Sequence, residues 1–180
     1  MLDDALDLIV PTGSGKLTER IAEALAGDQI SLESWRAGAI KQALNESGWL
    51  LDHVIAAGQL RQGKAPSMIA MATGWALLEM LRPRRSKSLP AQFVLAVTAD
   101  RVVAFEASGG GDSESNYETR IKPGARGSWP GELVRLIDLP KGAKSMGGTL
   151  DLAGAERMPV ARPNLNGDPS TDELFEVLAA

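Results

Sequence analysis

The chain has 180 residues, 44% of them hydrophobic and 23% charged, carries a formal net charge of −4 and contains no cysteine. These proportions suit a folded soluble protein, and the missing thiols exclude disulfides, thiolate metal sites and cysteine nucleophiles. Residues 1–90 balance ten Lys/Arg against ten Asp/Glu, whereas 91–180 hold nine against thirteen, and an acidic second half argues against nucleic-acid binding, which needs a basic face.

From the N-terminus, Met1-Leu-Asp-Asp lacks the basic region of a signal peptide. Leu8-Ile-Val-Pro-Thr-Gly-Ser-Gly-Lys16 then imitates a phosphate-binding loop, in which glycine amides curl round phosphate and a lysine reaches its oxygens. The match is partial. Val10 stands where the first glycine belongs, and Leu17 where a magnesium-binding Ser/Thr belongs. Such a loop also sits among βαβ units, whereas the chain beyond Lys16 reads as helical. The segment is therefore expected to be a lead-in to a helix, with nucleotide binding by Gly13, Gly15 and Lys16 as an alternative.

Residues 16–82 read as helical throughout. Leu17, Ile21 and Leu25 recur every four residues, with Gly27 as a stop. Ser31 can cap a second helix carrying Leu32, Trp35, Ala39, Ile40, Ala43 and Leu44 on one face, ended by Ser47-Gly48. A third segment holds Trp49, Leu50, Val54 and Ile55 and trails into polar Gln59–Lys64. The single histidine, His53, lies in it. Without an oriented partner it reads as structural, and one histidine cannot make a multi-histidine metal centre. Pro66 suits the first turn of a fourth helix, apolar all round through Ile69, Met71, Trp75, Leu78 and Leu81. Such a helix needs cover on more than one side, which makes Trp75 a candidate partner contact. Glu79 interrupts it, and it falls short of the ~20 residues of a membrane span, so a cytoplasmic protein is expected.

Arg82-Pro-Arg-Arg-Ser-Lys-Ser-Leu-Pro90 is polar, basic and bracketed by prolines, and divides the chain into a helical region, 1–85, and a second domain, 86–180. Its Arg82, Arg84, Arg85 and Lys87 are candidates for anionic lipid, worth roughly 1 kcal/mol each near a charged surface. Strands are expected over about 92–98, 101–107, 118–122, 133–139, 148–152 and 157–162, with Ser108–Ser115 as a glycine-rich loop. Ser170-Thr-Asp-Glu173 has capping-box spacing and introduces a final amphipathic helix. Helices, then strands, then one helix make an α+β order.

Phe93 to Phe105 reads as a hairpin about Thr98-Ala-Asp-Arg101. Its line Leu95-Ala-Val-Thr98-Ala-Asp-Arg101-Val-Val, with Trp129-Pro130 downstream and the terminal helix, resembles the bacterial pleckstrin-homology-like (PH-like) domains found in many actinobacterial proteins. The resemblance covers about residues 90–180. It implies a small antiparallel PH-like β barrel plugged at one end by the C-terminal helix, and binding or scaffolding rather than catalysis. It carries over no ligand, since bacterial members lack the basic phosphoinositide loop and here only Arg101 stands beside Asp100. The expectation is thus a non-enzymatic binding or scaffold module without a cofactor. Its partner would be a protein or a second copy of itself, held on an exposed strand edge or in a groove beside Leu174–Leu178. A peripheral membrane adaptor using Arg82, Arg84, Arg85 and Lys87 is the main alternative, and a nucleotide-binding protein the second.

Overall fold

β-branched and aromatic runs separated by polar breaks generate a meander, and the hairpin connections decide which strands become neighbours. In the computed structural model, which describes residues 8–11, 32–65, 88–110, 118–139, 147–163 and 169–179, eight strands form one antiparallel sheet. They are β1 (Leu8–Pro11), β2 (Ala56–Gln62), β3 (Gln92–Val97), β4 (Arg101–Gly109), β5 (Glu118–Pro130), β6 (Val134–Ile137), β7 (Gly147–Leu152) and β8 (Glu156–Ala161). Helix α1 (Leu32–Ser47) precedes β2, and helix α2 (Pro169–Ala179) follows β8. The architecture is α+β. Gly48, at φ +72°, ends α1 in the left-handed conformation that a residue with a Cβ resists.

The order across the sheet is β1-β5-β4-β3-β2-β8-β7-β6. Strands β5 and β6 are thus second and eighth, about 29 Å apart in a flat sheet. Yet only the 3₁₀ turn Gly131–Leu133 joins them, a link that spans at most about 14 Å. The sheet must therefore roll until its far strand returns to β5. The inner core records this roll: Val134 and Leu136 of β6 share one apolar cluster with Leu95, Val97, Val102 and Ala104 of β3 and β4. Trp129 packs on the same cluster, its indole lying over Gly127, where a Cβ would collide with the ring.

Rolling stops short of closure. No ladder joins β5 or β1 to β6, so the closed barrel that the resemblance implies is not formed. The reason is local: β5 ends in Pro130, which has no N–H to donate, and the 3₁₀ turn steps aside before β6 begins.

Both faces of the central strands are buried. Odd residues of β3 (Phe93, Leu95, Val97) join the inner core, and even ones (Val94, Ala96) join an outer core with Val103, Phe105 and Ala107 of β4. Two buried faces explain why the sequence there is continuously apolar. Ile40, Leu44 and Ala39 of α1 cover the outer face, while Leu174, Phe175 and Leu178 of α2 seal the inner one. Strand β5 runs eight residues beyond its expected end at 122. Register shifts against β4 and Gly124 at φ +87° bend it there, and Pro123 costs no ladder bond to β1, whose pairing ends at Ile121.

The helical reading of 49–62 is incorrect. Ala56-Ala-Gly-Gln-Leu-Arg-Gln holds no β-branched residue, but it fills the slot between β3 and β8, and ladder partners there override propensity. β1 and β2 belong to residues 1–85, so the sheet itself crosses from that region into 86–180. Leu89 is buried, and the Gln62 amide donates to the carbonyls of Leu89 and Pro90 at 2.7 and 3.0 Å. The helices expected at 17–25 and 66–82 lie outside the described residues.

α2 seats where the sheet parts. β2 pairs with β8 through Arg61 and Gln62 alone, which leaves the rest of β2 open on that side. Thr171 places its hydroxyl 3.4 Å from the Gln59 carbonyl, and Lys41 of α1 reaches Glu173 of α2 at 3.1 Å. α2 begins at Pro169, so Ser170 and Thr171 lie in its first turn, buried against the sheet. Closeness demands Gly58, because a Cβ there would stand 2.8 Å from the Thr171 Cα, which is backbone and cannot swing away. Gly58→Ala is expected to destabilise the fold by about 1–3 kcal/mol, read as a lower urea midpoint. Gly48→Ala, where nothing lies within 4 Å of the added atom, should show only the cost of a left-handed alanine, about 1 kcal/mol.

Candidate functional site

The turn between β3 and β4 is built by one hydroxyl. Thr98 N–H donates to the Arg101 carbonyl at 2.9 Å, and Arg101 N–H donates to Thr98 Oγ1 at 3.3 Å. That oxygen also lies 3.1 Å from Asp100 Oδ1 and 3.2 Å from the Arg101 carbonyl, either of which can take its proton. Thr98 is buried, whereas Asp100 is exposed. Arg101 adds a clasp, with Nε 3.4 Å from Asp100 and Nη2 3.2 Å from Asp52 in the loop after α1. The Thr-x-x-Arg spacing of the hairpin thus has a mechanical meaning: it fixes the turn and ties it to a second loop.

Beside this turn lies a cleft of about 410 Å³, within the range of small-ligand and peptide pockets. Val97, Val102, Val134, Val177 and Leu178 give it an apolar lining. Thr98, Asp100, Glu132 and Arg135 supply its polar groups. Glu132 and Arg135 are exposed there, with no ionic partner among the described residues. Three parts of the fold meet to make it: the hairpin turn, the C-terminal end of α2, and the 3₁₀ turn that leads into β6. Gly131 N–H donates to the Asp100 carbonyl at 2.9 Å and holds the last of these against the first.

Exposed apolar side chains gather at the same end. The large hydrophobics exposed among the described residues are Leu51, Ile55, Leu133 and Val177. Leu51 adjoins Asp52, which pairs with Arg101, and Ile55 N–H donates to the Val97 carbonyl at 2.7 Å. Leu133 lies between Glu132 and Val134, and Val177 lines the cleft itself. Three separate segments, the 48–55 loop, the 3₁₀ turn and α2, thus turn apolar side chains outward round one turn.

Electrostatics at the turn are modest. Desolvation pushes the Asp100 carboxyl up, but the Thr98 hydroxyl and then Arg101 outweigh it, and the group titrates below the usual carboxylate value. Elsewhere on the sheet, Glu106 is held low chiefly by its hydrogen bond to Lys122 at 2.7 Å, with Arg126 2.8 Å from its other oxygen.

The groove expected beside Leu174–Leu178 corresponds in position to this cleft, through Val177 and Leu178. Arg82, Arg84, Arg85, Lys87 and Trp75 lie outside the described residues, as do Gly13, Gly15 and Lys16. The strand leading toward that glycine-rich stretch, β1, pairs antiparallel with β5, unlike the parallel setting of a phosphate-binding loop. His53 is exposed. Among the described residues no helix is long and apolar enough to cross a membrane, and no group of acidic or histidine side chains could hold a metal ion. Sequence reasoning missed Val97, Val134, Glu132 and Arg135 as one site, because only the roll of the sheet brings them together.

Thr98→Val removes the hydroxyl and keeps the shape. It is expected to cost about 1 kcal/mol in urea denaturation and to move the Asp100 titration upward toward the ordinary carboxylate value, followed by NMR. Because the folded value is depressed, the stability that Asp100 contributes is present at neutral pH and is lost as pH falls through that folded value. The gap between wild type and variant should therefore narrow in acid.

Compared with protein-family models and with characterised proteins, the chain matches none.

Proposed function

We propose that this chain is a non-enzymatic binding module that holds an extended segment of a protein partner along β6 and in the cleft beside it. One observation carries the reading: the cleft borders a sheet edge that has no neighbour strand among the described residues, and exposed apolar side chains ring it. Among the described residues β6 ends the sheet, with β7 on one side only, and its Val134 and Arg135 form part of the cleft wall. An added strand would find main-chain donors and acceptors there, and its alternate side chains would drop among Val97, Val177 and Leu178. Glu132 and Arg135 would then select charge at the rim, where ionic contacts set specificity more than affinity.

A relationship to the bacterial PH-like domains belongs to this proposal. The Thr98–Arg101 hairpin and the terminal helix laid over the inner core support it, and it fits a module whose rigid sheet presents a partner rather than transforming a substrate.

Selection from a displayed random-peptide library tests the reading. Peptides with alternating aliphatic residues should be enriched, and both Val177→Asp and Leu133→Asp should weaken them at least tenfold, about 1.4 kcal/mol, while urea midpoints stay near wild type. Light scattering on the same proteins shows whether a second copy competes for the edge, as a dimer that Val177→Asp dissociates. Peptide binding indifferent to both substitutions, or no binder at all, would overturn the proposal.

A further inference from the structure

The face of the sheet opposite α2 carries a charge that no described residue balances. Arg61, on β2, is 7% exposed. Its Nη2 donates to the Lys64 carbonyl at 3.3 Å, while its Nε is buried without any partner. No carboxylate pairs with it among the described residues. Burial lowers the pKa of this guanidinium, yet an arginine begins so far above neutrality that it keeps its proton. An ion stripped of water and left unpaired is costly unless something supplies the opposite charge.

The same chain shows what it does with a purely structural buried arginine. Arg162, 2% exposed, meets the carboxylate of Asp172 and lies 4.8 Å over the ring of Phe175. Counter-charge and cover are both built in. Arg61 has neither a carboxylate nor a ring among the described residues.

Its neighbours are donors too. Gln92 on β3 stands directly opposite Arg61 in the ladder, which brings their Cβ atoms to about 5 Å on one face. The Gln92 side-chain oxygen accepts from the Gln59 amide at 3.3 Å, and its NH₂ is the donor this residue adds. Lys64, in the loop that closes β2, is exposed and unpaired among the described residues. On the other flank Arg61 faces Ala161 of β8, which offers no polar group. A guanidinium, an amide NH₂ and a nearby ammonium, with no carboxylate paired to them among the described residues, make a set that an oxyanion completes.

We propose that Arg61, with Gln92 beside it, forms a binding site for a small oxyanion, a phosphate or carboxylate group, on the sheet face opposite α2. The Nε–Nη2 edge of the guanidinium supplies the fork that matches two oxygens, and the Gln92 amide reaches a third. The site stands apart from the cleft at the 97–101 turn and does not depend on it.

Thermal unfolding in sodium phosphate, in sodium acetate and in sodium chloride, at one ionic strength to keep screening constant, tests this. One of the two oxyanions is expected to raise the wild-type midpoint by about 3–5 °C over chloride at some tenfold its dissociation constant, and which one does so identifies the group. Arg61→Met should unfold in chloride at or above the wild-type midpoint, since it removes an uncompensated charge, and should lose the oxyanion response. Gln92→Leu should weaken that response several-fold. As a reading independent of stability, the Arg61 Nε–H resonance should shift on oxyanion addition to the wild type. A wild-type midpoint that moves no more than that of Arg61→Met in either oxyanion, with an unmoved Nε–H signal, would overturn the proposal.

Discussion

Everything in this fold depends on a short piece of chain between its second and eighth strands. Gly131–Leu133 joins β5 to β6, and no flat arrangement of eight strands could tolerate so brief a link. The sheet therefore wraps round its own apolar face, and that wrapping creates the inner core, the seat for α2 and the cleft at the hairpin turn. A longer connection would have allowed an open sheet that needed a helical layer over its whole inner side. Here strands cover strands, and among the described residues the 11-residue helix α2 completes the cover.

Wrapping without closure leaves an edge, and edges are hazards as well as opportunities. β6 manages its exposure by brevity, with four residues and an outward Arg135. The other sheet edge, β1, is equally short. The chain thus keeps an open strand without offering a long flat template for aggregation. An edge of this size has room for a segment of only a few residues, which would limit both the affinity and the promiscuity of the binding proposed here.

Much of this was legible in the amino-acid order. Val94-Leu-Ala-Val97 and Val102-Val-Ala-Phe105 announce the two strands of a hairpin, and Leu32–Ser47 carries its apolar stripe and its glycine stop in plain view. What was hidden depends on distant chain. Nothing within Ala56–Gln62 favours a strand, and only partners 30 and 100 residues away make it one. Arg61 reads locally as the polar tail of a helix, and its burial is a property of sheet position. Val97, Val134 and Val177 each look like ordinary core residues, because the roll that brings them together cannot be counted from spacing.

The seam between β2 and β8, two residue pairs long, bears on how the fold coheres. On either side of it stand two meanders, β2 to β5 and β6 to β8, each with its own ladders but packed face to face through the shared inner core. Parting that plane breaks few ladder hydrogen bonds, so the shared inner core and α2, rather than the seam itself, hold the two meanders together. α2 spans that plane, its Gly58 contact on one meander and its Arg162–Asp172 tie to the other. It fastens the two meanders across the one place where their ladders barely meet.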